Sequence, residues 1–211
     1  MLRSAAAVLA LVVSLSACAS DAPGGEASAR PSVDADPADI QRAQSWCMAG
    51  DASRGITQLD SLVAAGSSAD VDLLTTRGIC YWTRFAADSS QTDADAAYRD
   101  LTDAIEVAQT LPPDHGHTPL DALYNHRAFI VQAVRPGDWA ATVADLQAAR
   151  QANPENRTHT LDLGVAYSLA GDTARSVAAL RTFLDSTSTS DTRRAVAERM
   201  LAELGAETAG R

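Results

Sequence analysis

This sequence predicts an all-α fold of stacked helix pairs, and three observations lead there. Gly137-Asp138 and Gly171-Asp172 recur 34 residues apart, each ahead of a segment with the same apolar pattern. A fixed period of this size marks helical repeats that bury their faces by stacking. Apolar residues recur at three and four positions rather than at two, which is helical spacing. The chain is 46% hydrophobic but only 5% aromatic, and an alanine- and leucine-rich composition favours helix.

The clearest unit runs from Pro136 to Leu184. Trp139, Val143, Leu146 and Ala149 share one helical face. Asn153-Pro154 ends that helix, because proline restricts the residue before it and cannot extend the hydrogen-bond ladder. The next helix carries Leu161, Leu163, Gly164, Ala166, Tyr167 and Leu169, and Gly171 stops it by taking positive φ. Asp172 caps a further helix whose inner face holds Val177, Leu180, Phe183 and Leu184. Small Gly164 and Ala166 suit close approach of paired helices.

The pattern Leu163-Gly164-x-Ala166-Tyr167-x-x-x-Gly171-Asp172, with Asn153-Pro154 closing the preceding unit, resembles the tetratricopeptide repeat (TPR). The resemblance implies a right-handed α-solenoid of about four TPR-like helix pairs. It also implies a groove, lined by the first helix of each pair, that binds peptides or proteins.

The start of the chain bears on location. Arg3 precedes an apolar run over 5–13, which is too short to span a bilayer. Leu15-Ser16-Ala17-Cys18 follows and resembles a bacterial lipobox. That resemblance implies a signal peptide over 1–17, removed on processing, and lipidation of Cys18. Several acyl chains would make a stable anchor. Ala19 after the cysteine points to the periplasmic face of the outer membrane if the source has two membranes. The small, polar residues up to position 37 cannot bury a core, so 18–37 is expected to be a lipidated, flexible tether.

The repeat region is expected over 38–205. The first pair covers about 38–49 and 52–65, with Ile40, Ala43, Trp46 and Cys47 near one face of its first helix. Gly50-Asp51 resembles the later turns, and Gly55 inside the second helix suits a close crossing. The second pair starts near Asp70, and Arg77-Gly78-Ile79-Cys80-Tyr81 resembles the family's first-helix signature. Arg77-Gly78 lies 35 residues after Arg42-Ala43 and 50 before Arg127-Ala128, so this repeat is expanded. The extra length is expected in the polar segments 87–95 and 111–119. The third pair opens with Leu120, Leu123 and Tyr124. A capping helix over about 191–204 presents Val196, Met200, Leu201 and Leu204 inward, with Arg193, Arg194, Glu198 and Arg199 outward. A disordered tail is expected over 206–211.

Composition narrows the chemistry. All 17 basic residues are arginine, which excludes a Schiff-base lysine and a phosphate-loop lysine. A formal net charge of −10 argues against nucleic acid as a partner. No hydrolase elbow, zincin helix or phosphate loop appears, and no cofactor is expected. Cys47 and Cys80 form an even pair in a chain read as exported. They are read either as a disulfide, worth roughly 3–4 kcal/mol for a loop of this size, or as two separate core thiols. Asp114-His115-Gly116-His117, with His126, has metal-ligand residue types but matches no standard zinc spacing, so solvated loop histidines are the reading and no metal is expected.

By the family resemblance, the groove candidates are Gln44, Met48, Thr75, Ile79, Trp82, Asn125, Phe129, Gln132, Val165 and Ser168. Trp82 and Phe129 are aromatic anchors or, alternatively, core residues. The face lacks the basic cluster of the carboxylate-clamp members. The sequence therefore reads as a non-enzymatic, lipid-anchored adaptor or scaffold in the cell envelope, serving outer-membrane, pilus or cell-wall assembly. The alternatives are an envelope enzyme or metal-binding protein using 111–119, and a self-associating structural subunit.

Overall fold

The computed structural model describes residues 34–112 and 115–209, with side chains through Gly205. Cys18, the signal peptide and most of the tether lie outside the described residues. Nine helices are present among them: α1 Pro37–Met48, α2 Ala52–Ala64, α3 Val71–Asp88, α4 Gln91–Ala108, α5 Leu120–Val134, α6 Trp139–Ala152, α7 Thr158–Leu169, α8 Thr173–Ser186 and α9 Arg194–Ala209. Each helix packs on the next, giving four pairs and a closing helix. The all-α repeat reading is what the structure shows.

Local chemistry explains most of the boundaries. Gly50, Gly137 and Gly171 take φ of 89°, 86° and 77°, the left-handed region that glycine enters without penalty. The aspartate after each one caps the next helix: Asp51 accepts from Arg54 N, Asp138 from Ala141 N and Asp172 from Arg175 N. Asp36 caps α1 in the same way, with Pro37 at the first helical position.

The core is a series of clusters strung along the stack. Leu59 and Leu73 belong to one, Leu101 and Leu123 to the next, then Leu146 with Leu163, and finally Leu180 with Phe183. Each fully buried leucine contributes about 1.5–3 kcal/mol. Two glycines permit the closest crossings. A Cβ on Gly164 would stand 2.7 Å from Leu180 Cδ2, and Ser176 Oγ donates to the Gly164 carbonyl at 2.7 Å. A Cβ on Gly55 would stand 2.3 Å from Cys47 Sγ. That sulfur is bonded to Cys80, and the disulfide ties α1 to α3 with the two Cα atoms 5.4 Å apart.

Several expectations need correction. The polar stretch 87–95 is not an open connection. It forms the end of α3, a left-handed Ser89 and the first turn of α4. Helix persists there because Arg84 pairs with buried Asp93 through two hydrogen bonds of 2.6 and 2.7 Å. Much of the expansion therefore lies in two 18-residue helices, with the rest in 109–119. The end of the expected tether is also part of the fold: Ala35 is buried and its N–H donates to Asp70 Oδ2 at 3.0 Å. Helix α9 continues past Gly205 to Ala209, where a disordered tail was expected; one glycine costs only about 1 kcal/mol among helix formers. Its inner face turns on Ala197 and Leu204, and Val196 is exposed. In α6 the buried face is Thr142, Asp145, Leu146 and Ala149, with Trp139 and Val143 only half-buried.

Asp145 on that face is explained by an ion pair, one of several the sequence reading did not identify. Arg127 donates to Asp145 at 2.9 and 2.7 Å, joining α5 to α6. Arg77 does the same to Asp100 at 2.7 and 2.7 Å, joining α3 to α4, and reaches Asp60 of α2 at 3.0 Å. The hydrogen bonds to Asp100 hold the Arg77 guanidinium above its ordinary pKa. Bidentate geometry of this kind fixes relative helix orientation as well as charge. Arg77 and Arg127 are the positions the sequence places in register, so their shared alignment was the available signal.

Candidate functional site

The first helices of the pairs are α1, α3, α5 and α7, so the expected groove has to be found among them. The structure brings α1, α3 and α5 around a cleft of about 870 Å³. One wall is Ile40, Gln41 and Gln44 of α1. The floor is Val71, Thr75, Thr76 and Ile79 of α3. The far wall is His126 of α5 together with the end of α4 and the 115–118 segment.

Local packing builds each part. Thr75 Oγ1 donates to the Val71 carbonyl at 2.6 Å, so its hydroxyl is satisfied within its own helix. The linker is anchored rather than solvated: the Thr118 N–H and hydroxyl both donate to Asp72 Oδ1, at 2.8 and 2.6 Å. That docking half-buries His117 and sets its Nδ1 2.7 Å from the Thr118 carbonyl. The expectation of solvated loop histidines holds only for exposed His115. Burial pushes the His126 imidazole below its ordinary pKa, favouring the neutral ring. Asp114 lies outside the described residues. Among the described residues, no group of three or more His, Cys, Asp or Glu side chains is arranged to hold a metal ion.

Of the groove candidates, Gln44, Thr75 and Ile79 line this cleft. The others do not join them. Met48 is on α1 and exposed. Trp82 is half-buried, packs against the α3–α4 core and stacks on Phe85 with ring centroids 5.0 Å apart. Its core reading is therefore the better one. Asn125 is engaged with α7, donating to Asp162 Oδ2 at 2.9 Å. Gln132 bridges the α5–α6 turn, donating to Thr142 Oγ1 at 2.7 Å and accepting from Gly137 N at 3.0 Å. Val165 and Ser168 are half-buried on α7, and Phe129 is 56% exposed on α5.

Sequence reasoning missed the contribution of Asp34, Asp70 and Asp72 to the cleft, and a separate network between α5 and α7. In that network buried His159 sits with Nε2 3.0 Å from Asp121 Oδ2, and Asn153 and Asn156 donate to the same oxygen. Burial pushes the Asp121 carboxyl up, but the hydrogen bonds from His159, Asn156 and Asn153 outweigh it and hold it below the usual range. These residues stiffen the stack at the turn between α6 and α7.

Solved structures share this arrangement. A thermophilic TPR protein from Thermus thermophilus superposes with a TM-score of 0.59 at 14% identity, over 79% of each chain. The fold is a TPR-type α-solenoid. A Podospora anserina putative kinesin light chain with nearly identical TPR-like repeats gives a TM-score of 0.62 at 16% identity, covering 82% of this chain and 87% of that one. MamA MSR-1 gives 0.57 at 18% identity, covering 81% and 85%. No protein-family profile and no curated protein matches the chain. At these identities the TPR likeness is one of fold.

Proposed function

We propose that this TPR solenoid is a non-enzymatic adaptor that holds a segment of a protein partner in the cleft between α1, α3 and α5. The observation that carries the reading is the cleft itself. Half-buried Ile79 lies in its floor beside exposed Gln41 and Gln44, so apolar contact and amide hydrogen bonding face one ligand. Such a surface suits an extended peptide, whose backbone needs donors and acceptors along its length. The disulfide and the Asp72–Thr118 contact hold the walls in place, which lowers the entropy a ligand must overcome.

The location belongs to the same proposal. Leu15-Ser16-Ala17-Cys18 supports a lipid anchor at Cys18, and the tether would carry the solenoid off the periplasmic face of the outer membrane, where it serves envelope assembly. Crosslinking of the full chain in envelope extracts, read by mass spectrometry, tests both parts. The expected result is a stoichiometric protein partner that is lost on Gln44→Arg, with membrane association lost on Cys18→Ser. A partner that survives Gln44→Arg and Ile79→Glu, or crosslinks only between copies of the chain, refutes the adaptor reading. Membrane association that survives Cys18→Ser refutes the anchor.

A further inference from the structure

We infer that the occupant of the cleft is a basic peptide segment, one whose lysine or arginine side chains meet the cleft's carboxylates. The inference rests on the adaptor reading and adds the charge of the partner to it. Asp34, Asp70 and Asp72 all line the cleft, and among the described residues no arginine does. The chain has no lysine to compensate them.

The convergence of three such carboxylates on one cleft is what gives this weight. Among the described residues, arginine neutralises Asp60 and Asp100 through Arg77, Asp93 through Arg84, Asp145 through Arg127, and Asp172 and Asp191 through neighbours in sequence. Among the same residues, none of the three cleft carboxylates takes part in an ion pair. Asp70 is bound only by backbone N–H groups, of Leu73 and Ala35, and Asp72 only by Thr118. These are neutral donors, so no cation offsets either carboxylate. Charge concentrated in a low-dielectric recess is felt more strongly than the same charge on an open surface.

A second observation points the same way. His117 turns Nδ1 to the Thr118 carbonyl, which leaves Nε2 as the free end of the ring. It is buried at the cleft wall and has no partner. An unpartnered buried ring nitrogen therefore stands beside carboxylates that accept hydrogen bonds. Lysine and arginine offer only donors, so a segment carrying them matches both the charge and the hydrogen-bonding sense of the carboxylates. An acidic or C-terminal carboxylate ligand would meet repulsion at each of these groups.

The test is selection of a randomised decapeptide display library on the full chain in detergent, read by sequencing. Enrichment of lysine and arginine and depletion of aspartate and glutamate are expected. A selected peptide should bind about fivefold to tenfold more weakly to the double variant Asp34→Asn, Asp72→Asn, and should weaken with added salt. Both substitutions keep an oxygen acceptor, so Thr118 retains its partner. Asp185→Asn, an exposed change on α8, should leave binding unchanged. Selection of peptides without charge bias, lost on Ile79→Glu but not on the Asp variants, overturns the inference while leaving the adaptor reading standing. Selection of acidic peptides overturns it too, and recovery of no binder at all overturns both.

Discussion

Replacing Gly55 with alanine puts the packing of the first repeat to a quantitative test. Gly55 lies inside α2, where alanine is better by about 1 kcal/mol on helix propensity alone. The structure opposes that gain. The new Cβ would meet Cys47 Sγ at 2.3 Å and the Ala43 carbonyl oxygen at 2.8 Å. Neither atom is the free end of a flexible side chain, since one is in the α1 backbone and the other is held in a disulfide to α3. Relief therefore requires α2 to move away from α1. Overpacking of this kind costs about 1–3 kcal/mol and sometimes more, and the two opposed atoms place Gly55 at the upper end. The net loss expected is about 1–2 kcal/mol, or about 2–8 °C in Tm for a domain of this size. Gly205→Ala provides the matched control, because a Cβ there meets nothing within 4 Å in α9. Thermal unfolding of the full chain and both variants, followed by circular dichroism in the far ultraviolet, should show Gly55→Ala melting lower and Gly205→Ala melting no lower than the parent. Equal or higher stability for Gly55→Ala would refute the close crossing.

Two further outcomes follow from buried polar groups. Asp145→Ala leaves the Arg127 guanidinium half-buried without its carboxylate and should destabilise by about 3–5 kcal/mol in urea titration, whereas the paired change Arg127→Met, Asp145→Leu should cost much less; equal losses would count against a buried ionic link. His126 has a folded pKa held below its ordinary 6.5 by burial, so its contribution is fully present above that value and is lost as pH falls through the folded pKa; urea midpoints followed from neutral into mildly acidic pH should fall less steeply in His126→Gln, and parallel profiles would contradict the assignment.

Much of the architecture was legible in the chain. The Gly-Asp dipeptides announced the turns because two local requirements, positive φ and an N-cap, fall on adjacent residues. Gly164 pointed to a close crossing through its place in the signature. The groove was only partly legible. Gln44, Thr75 and Ile79 reached the cleft, but Asn125 and Gln132 were drawn into contacts with Asp162 and Thr142. Those partners lie 37 and 10 residues away, and spacing on one helix does not report which neighbour a polar side chain will meet. Segment 87–95 was misread for a related reason. Its composition is that of a loop, and only the approach of Arg84 to Asp93 makes helix there favourable.

The sequence by itself determined most of the secondary structure and its repetition, since period, caps and breakers act within a few residues of one another. It also determined the chemistry the chain lacks, because a protein without lysine cannot use one. Tertiary structure alone decided where charge would stand uncompensated. Each arginine had several aspartates within reach along the chain, and packing chose Asp100, Asp93 and Asp145 for Arg77, Arg84 and Arg127. Among the carboxylates left without an arginine, Asp34, Asp70 and Asp72 converge on one cleft because α1, α3 and the anchored linker meet there. Electrostatic identity of that kind depends on distances through space, which the order of residues does not contain.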